Sequence, residues 1–258
     1  NSHDGDIWMG NLGVQVHYPD ALRSVEQIEQ QRAYCASRGL GYGAWVNPIY
    51  GFPVYLERQA ELHAAAGLAD GLLAIDSEPY SGFWGANRPE GAASRYLSRI
   101  RSLAPDLPLI WQPDPRPARL AELGPEWPAW CNVYSPQVYW TDFRTPPNQT
   151  LSMAYDDMDR PQQAEWAPTL PGNASAAELE GALALIQSQG AQGCIVWRLG
   201  TTGLAQLEAI KRRPFAGVSG PDPGRGLRDG VRAELEARLP SGRLRALSRP
   251  RLRRLLEV

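Results

Sequence analysis

Strand-like and helix-like stretches alternate along most of this chain, and that alternation restricts the fold more than any other feature. Short apolar runs at 12–17, 42–46, 70–78, 107–112, 132–140, 166–170 and 193–199 read as strands. Between them lie helical patterns at 24–37, 54–66, 90–103 and 175–188, with a closing helix at 203–211. Ser24 and Ser175 stand at cap positions, and Gly39, Gly67 and Gly190 follow the helical patterns as stops. Residues 141–163 carry no period and read as irregular. Strands separated by helices pair in parallel, and right-handed crossovers wind them into an open doubly wound sheet or a closed barrel. The strand ends favour the barrel. Polar or aromatic residues recur there: His17, Asn47, Asp76 with Glu78, Asp114, Tyr139 with Asp142, and Trp197 with Arg198. A barrel gathers all those ends at one face, whereas an open sheet concentrates them at one switch point. The expectation is therefore an α/β chain forming a (β/α)8 TIM barrel over 1–213. Seven strands are visible, so the first is missing or atypical, with Ile7-Trp8-Met9 as its stand-in.

One strand carries the chemistry. Asp70-Gly71-Leu72-Leu73-Ala74-Ile75-Asp76-Ser77-Glu78 opens as a buried parallel strand would and closes on two carboxylates two residues apart. A period of two points Asp76 and Glu78 to the same side. Paired carboxylates are costly to desolvate and do little for a core, so they mark a candidate site. The competing reading is a loop pair that caps a helix or binds Arg.

Composition removes several alternatives. The three cysteines, Cys35, Cys131 and Cys194, are widely spaced and form no metal or disulfide pattern with His17 or His63. No Gly-rich loop cradles a phosphate and no nucleophile elbow is present. No apolar run is long enough to span a membrane. No cofactor and no metal are implied. The chain begins at Asn1 without a visible signal peptide and reads as processed or cut from a longer one. A formal net charge of −2 conceals an asymmetry, because 1–210 is acidic on balance and the remainder is basic. Residues 214–230 read as a Gly/Pro-rich linker. Residues 231–258 read as a basic helical tail ending in Arg243, Arg245, Arg249, Arg251, Arg253 and Arg254. Such a tail suits docking to a larger assembly or an anionic polymer. Its lack of interleaved aromatics argues against nucleic acid.

With one strand supplied upstream, Asp76 and Glu78 end the fourth strand, Gln137 and Tyr139 the sixth, and Trp197 the eighth. That register resembles the chitinase-type glycosidases and, less closely, a lysozyme family whose fourth strand also ends in Asp-x-Glu. In the chitinase-type family this strand begins Asp-Gly and ends Asp-x-Asp-x-Glu. Here Asp70-Gly71 and Asp76-Ser77-Glu78 echo it, but Ala74 replaces the first acid of the ending and one residue is extra. The family's Tyr on strand six lies near Gln137-Val138-Tyr139, and its Trp on strand eight near Val196-Trp197. The stretch Ser135–Trp140 also looks like an element of bacterial glycosidase-like barrels.

The resemblance implies glycoside hydrolysis of an N-acetylated polysaccharide, peptidoglycan or chitin-like, at the cell wall or outside the cell. Glu78 would be the general acid. In the chitinase-like version Asp76 orients the substrate acetamido group and Tyr139 hydrogen-bonds to it. In the lysozyme-like version Asp76 stabilises the cation. Trp45, Tyr80, Trp84, Trp140 and Trp197 are candidate platforms for sugar rings, and Gln137, Asp142 and Asp114 candidate partners for hydroxyls. The alternative is a non-catalytic carbohydrate-binding or structural module of a larger assembly.

Overall fold

The computed structural model describes residues 43–50, 53–156, 165–197 and 201–213, together with Gln30, Arg32, Ala33, Ser37 and Phe215. The expected strands at 7–9 and 12–17, and the linker and basic tail from 216 onward, lie outside them.

The described elements follow the expected alternation. β1 (Ala44–Val46) leads to α1 (Pro53–Asp70), β2 (Leu73–Ser77), α2 (Ala92–Leu103) and β3 (Leu109–Pro113). Then come α3 (Pro117–Leu123), β4 (Val133–Tyr134), α4 (Trp140–Phe143) and α5 (Pro147–Asp156). β5 (Glu165–Trp166), β6 (Thr169–Pro171), α6 (Ala176–Ser188), β7 (Ile195–Trp197) and α7 (Leu204–Lys211) complete the set. All strand pairs are parallel, in the orders β1-β2-β3-β4-β5 and β6-β7.

Three sequence expectations are corrected. The single strand at 166–170 is two, β5 and β6, with Ala167-Pro168 between them. Pro168 has no N–H to give a ladder. The register does not change across the gap, because Tyr134 stands opposite Trp166 and Gln137 opposite Thr169. The irregular stretch 141–163 holds α4 and α5, whose starts at Trp140 and Pro147 lack the side-chain caps that mark a helix in sequence. α1 runs through Gly67 and ends only at Gly71, which takes the left-handed conformation (φ 78°) and donates to the Gly67 carbonyl at 2.6 Å. Space at Gly67 is tight: a Cβ there would stand 2.6 Å from Leu107 Cδ2 and 3.0 Å from Leu73 Cβ, so the leucines would have to shift. The expected cap at Ser175 is present as a full capping box with Glu178.

Alternation within each strand separates two faces. Ala44, Val46, Leu73, Ile75, Leu109, Trp111, Tyr134, Trp166 and Leu170 are buried members of the hydrophobic core, where α1, α2 and α6 also bury apolar side chains. Within that layer Trp84, Tyr96, Trp111 and Trp127 form a contiguous aromatic cluster, Trp111 and Trp127 stacked at 6.3 Å. Each such ring removes some 150–250 Å² from water. The opposite face carries Trp45, Asp76, Gln112, Ser135, Gln137, Thr169 and Trp197.

That second face is concave. The Trp45 and Trp197 rings, on the first and last described strands, lie 6.1 Å apart. Laid flat at ~4.8 Å per strand, six strands would separate those edges by about 24 Å. Side chains two strands apart also meet: Gln137 on the continuation of β4 reaches Asp76 on β2, and Gln112 on β3 reaches Thr169 on β6. Both contacts fall two residues beyond the hydrogen-bonded register, a rise of about one residue per strand, as in a strongly tilted sheet. Among the described residues no ladder joins β7 back to β1.

Candidate active site

The concave face owes its polar floor to three short alternations. β2 contributes Ala74, Asp76 and, just past its end, Glu78. β3 contributes Ile110, Gln112 and Asp114. The β4 segment contributes Val133, Ser135 and Gln137 and stays hydrogen-bonded to β3 through Ser135 N to Trp111 O and Gln137 N to Pro113 O.

Gln137 ties the acids together. Its amide nitrogen donates to Asp76 Oδ1 at 2.8 Å, to Glu78 Oε1 at 2.9 Å and to the Gln112 carbonyl at 3.0 Å. An amide has two hydrogens, so three acceptors share them. The two carboxyls are therefore no farther apart than two hydrogen-bond lengths.

Electrostatics distinguish them. Burial pushes Asp76 well above the usual carboxylate range, and the Glu78 charge adds to the rise, while the Gln137 bond opposes it. Burial also raises Glu78, followed by the opposing Gln137 bond, then by Asp114 raising and Arg116 lowering it. Asp76 is the deeper group, 7% exposed. The pair therefore holds on to a proton more tightly than isolated carboxyls would. Two carboxyls that resist ionising together are the usual substrate for general acid work near neutral pH.

Beside them lies a second cluster. Asp114 accepts from Tyr80 Oη at 2.8 Å and pairs with Arg116 through Nε and Nη2. Arg116 Nη2 also donates to Tyr80 Oη at 2.6 Å, and its guanidinium covers the Phe143 ring at 4.6 Å.

The candidate residues divide accordingly. Asp76, Glu78 and Gln137 converge. Trp45 and Trp197 are partly exposed and in contact on the concave face. Tyr139 is partly exposed at the start of α4, its ring 6.5 Å from Phe143. Tyr80 joins the Asp114 cluster. Trp84 and Trp140 are corrected: they are 0% and 2% exposed and belong to the hydrophobic core, so neither offers a ring to a ligand here. Trp84 packs between Tyr50, Tyr96 and Trp127 because the loop after β2 folds back over α2. Asp142 is exposed on α4 and has no bond to the acids. Asp114 and Gln137 spend their bonding on protein groups. Asp70, half of the Asp-Gly echo, ends α1 and pairs with Arg32, away from the concave face.

Sequence reasoning passed over Gln112 and Arg116. Gln112 stands beside Asp76 in the register, and the alternation Ile110, Gln112, Asp114 was its signal. Asn47, the next residue after β1 on the same face, is 1% exposed with neither amide atom bonded. Arg116 had no signal short of the folded chain.

No protein-family model matches the sequence, and no curated protein matches it. Among solved structures, a chitinase from Rhizomucor miehei aligns with a TM-score of 0.55 at 14% identity, covering 74% of this chain and 87% of that one. The chain thus has a chitinase-like α/β fold built on a parallel sheet.

Proposed function

We propose that the chain is a glycoside hydrolase acting on an N-acetylated polysaccharide, with its sheet closed into a barrel by strands upstream of β1. The observation that carries this reading is the single amide of Gln137 holding Asp76 and Glu78 together at the floor of a concave parallel sheet. Glu78, the outer and less buried acid, protonates the leaving oxygen. Asp76, deeper on the same face, faces the cationic sugar or its acetamido group. Tyr139 hydrogen-bonds to that group, and Trp45 with Trp197 stacks on the ring. Glycoside cleavage needs this division between a protonated carboxyl and a group that stabilises developing positive charge. The chitinase-like fold is consistent with it.

Release of reducing ends from chitin and from peptidoglycan tests the proposal. Wild type releases them from one polymer and Glu78→Gln does not. Equal release by both proteins removes Glu78 as the acid. A second reading, a binding module without catalysis, is favoured by Ala74, an apolar residue where the resembling family carries its first acid. Polymer binding without release by wild type selects it.

A further inference from the structure

The rim next to Glu78 carries two arginines whose outward donors are unused. Arg116 commits Nε and Nη2 to Asp114 and Tyr80. Its Nη1 makes no bond among the described residues, and the side chain is 39% exposed. Arg119 commits Nη1 to Glu122, leaving Nε and Nη2 unbonded on a side chain 35% exposed. Both guanidinium groups are fixed on the same tyrosine. Arg116 donates to the Tyr80 hydroxyl, and Arg119 lies over the Tyr80 ring at 5.1 Å. Phe143 holds Arg116 from its other side. Stacking and ion pairing pre-order the Arg119 fork and the Arg116 Nη1 donor, so a ligand bears little of the cost of ordering them. The rim is formally neutral, since Asp114 and Glu122 offset the two cations, and an incoming anion meets no net repulsion there. Tyr80 follows Glu78 by two residues, which places the rim next to the leaving-group acid.

We propose that Arg116 and Arg119 form a carboxylate-recognising subsite bracketing Tyr80, which selects an N-acetylated glycan bearing carboxylates over a neutral one. The subsite rests on the glycan-directed reading above and adds the substrate class to it. A carboxylate takes two parallel N–H donors from a guanidinium fork, geometry that a neutral hydroxymethyl group does not match. On peptidoglycan the carboxylates belong to the stem peptides, or to the lactyl ethers once an amidase has removed those peptides.

Binding is the readout, so that it stands apart from cleavage. Glu78→Gln protein is sedimented with intact peptidoglycan, with amidase-stripped glycan strands, and with the same strands after chemical reduction of their carboxyls to alcohols. Chitin is the neutral control. The expected result is roughly tenfold tighter binding to at least one carboxylated form than to the reduced strands, the value of one charge-assisted pair. Preference for the intact polymer assigns the stem peptides, and preference for the stripped strands assigns the lactyl groups. Arg119→Gln should abolish the preference and Arg119→Lys should restore part of it, with chitin binding unchanged in both. Arg116→Lys, which keeps the charge beside Asp114, should weaken the preference by losing the Nη1 donor. Equal binding to carboxylated and reduced strands overturns the subsite. Discrimination by a wild-type protein that releases no reducing ends keeps the subsite and removes the hydrolase.

Discussion

The two faces of the sheet are made of the same strands and differ in what neighbours can do for each other. On the helix-covered face, Leu73, Ile75, Trp111 and Tyr134 meet apolar helix surfaces, and burial alone stabilises them. On the concave face, Asp76, Gln112, Gln137 and Thr169 bond chiefly across strands. One face contributes stability, and the other holds groups that oppose it. An aromatic ring therefore has different surroundings by side: Trp84 is packed in the core, while Trp45 and Trp197 are partly exposed on the concave face.

Four changes test that contrast, in descending size. Glu78→Gln should lower glycan cleavage on the order of 10²–10⁴-fold, with a melting temperature at least equal to wild type, since it removes a buried charge. A large drop in melting temperature would make Glu78 structural. Trp84→Ala should cost about 3–5 kcal/mol in chemical denaturation, and the surviving folded protein should retain glycan binding. Loss of binding with stability intact would move Trp84 to the functional side.

Asp76→Asn concerns pH. A carboxyl whose folded pKa is raised contributes stability below its unfolded pKa and loses it as pH rises through the folded value. Wild type should therefore fall behind Asp76→Asn at pH 8 by a few degrees, the response to about 1 kcal/mol in a domain of this size. The gap should close near pH 4. His63 tilts the other way: buried against Tyr96 and pushed down from 6.5 to about 3, it favours the folded state above pH 6.5 and loses that contribution as pH falls toward 3. Only the difference between wild type and variant isolates Asp76, and no difference at pH 8 would remove the penalty ascribed to it. Ser175→Ala, on the helix side, should cost about 0.5–1 kcal/mol by thermal melting and leave cleavage unchanged.

Much of this was legible in the sequence. Strands at Ala44–Val46, Leu73–Ser77, Leu109–Pro113 and Ile195–Trp197 were readable because each is a short apolar run between helical patterns. The pairing of Asp76 with Glu78 followed from a period of two. What was not legible depends on contacts between distant segments. A Trp just past a strand end looks like a rim residue, yet Trp84 turns back into the helix layer because Tyr96 and Trp127 leave a place for it. Gln137 was readable as a polar strand-end residue, but its hold on both acids needed the curl that brings β4 over β2. The burial that pushes both carboxyls upward is not encoded in their spacing.

The offset between adjacent strands has a consequence for how such a basin changes over time. Odd-placed strands supply Trp45, Gln112 and Thr169 to one tier, and even-placed strands supply Asp76, Gln137 and Trp197 to the next. Each tier is threaded through every second strand, so a mutation in one leaves the hydrogen-bonding partners of the other in place. The Gln112–Thr169 bond and the Asp76–Gln137 bond can consequently be altered by separate substitutions within one unchanged scaffold.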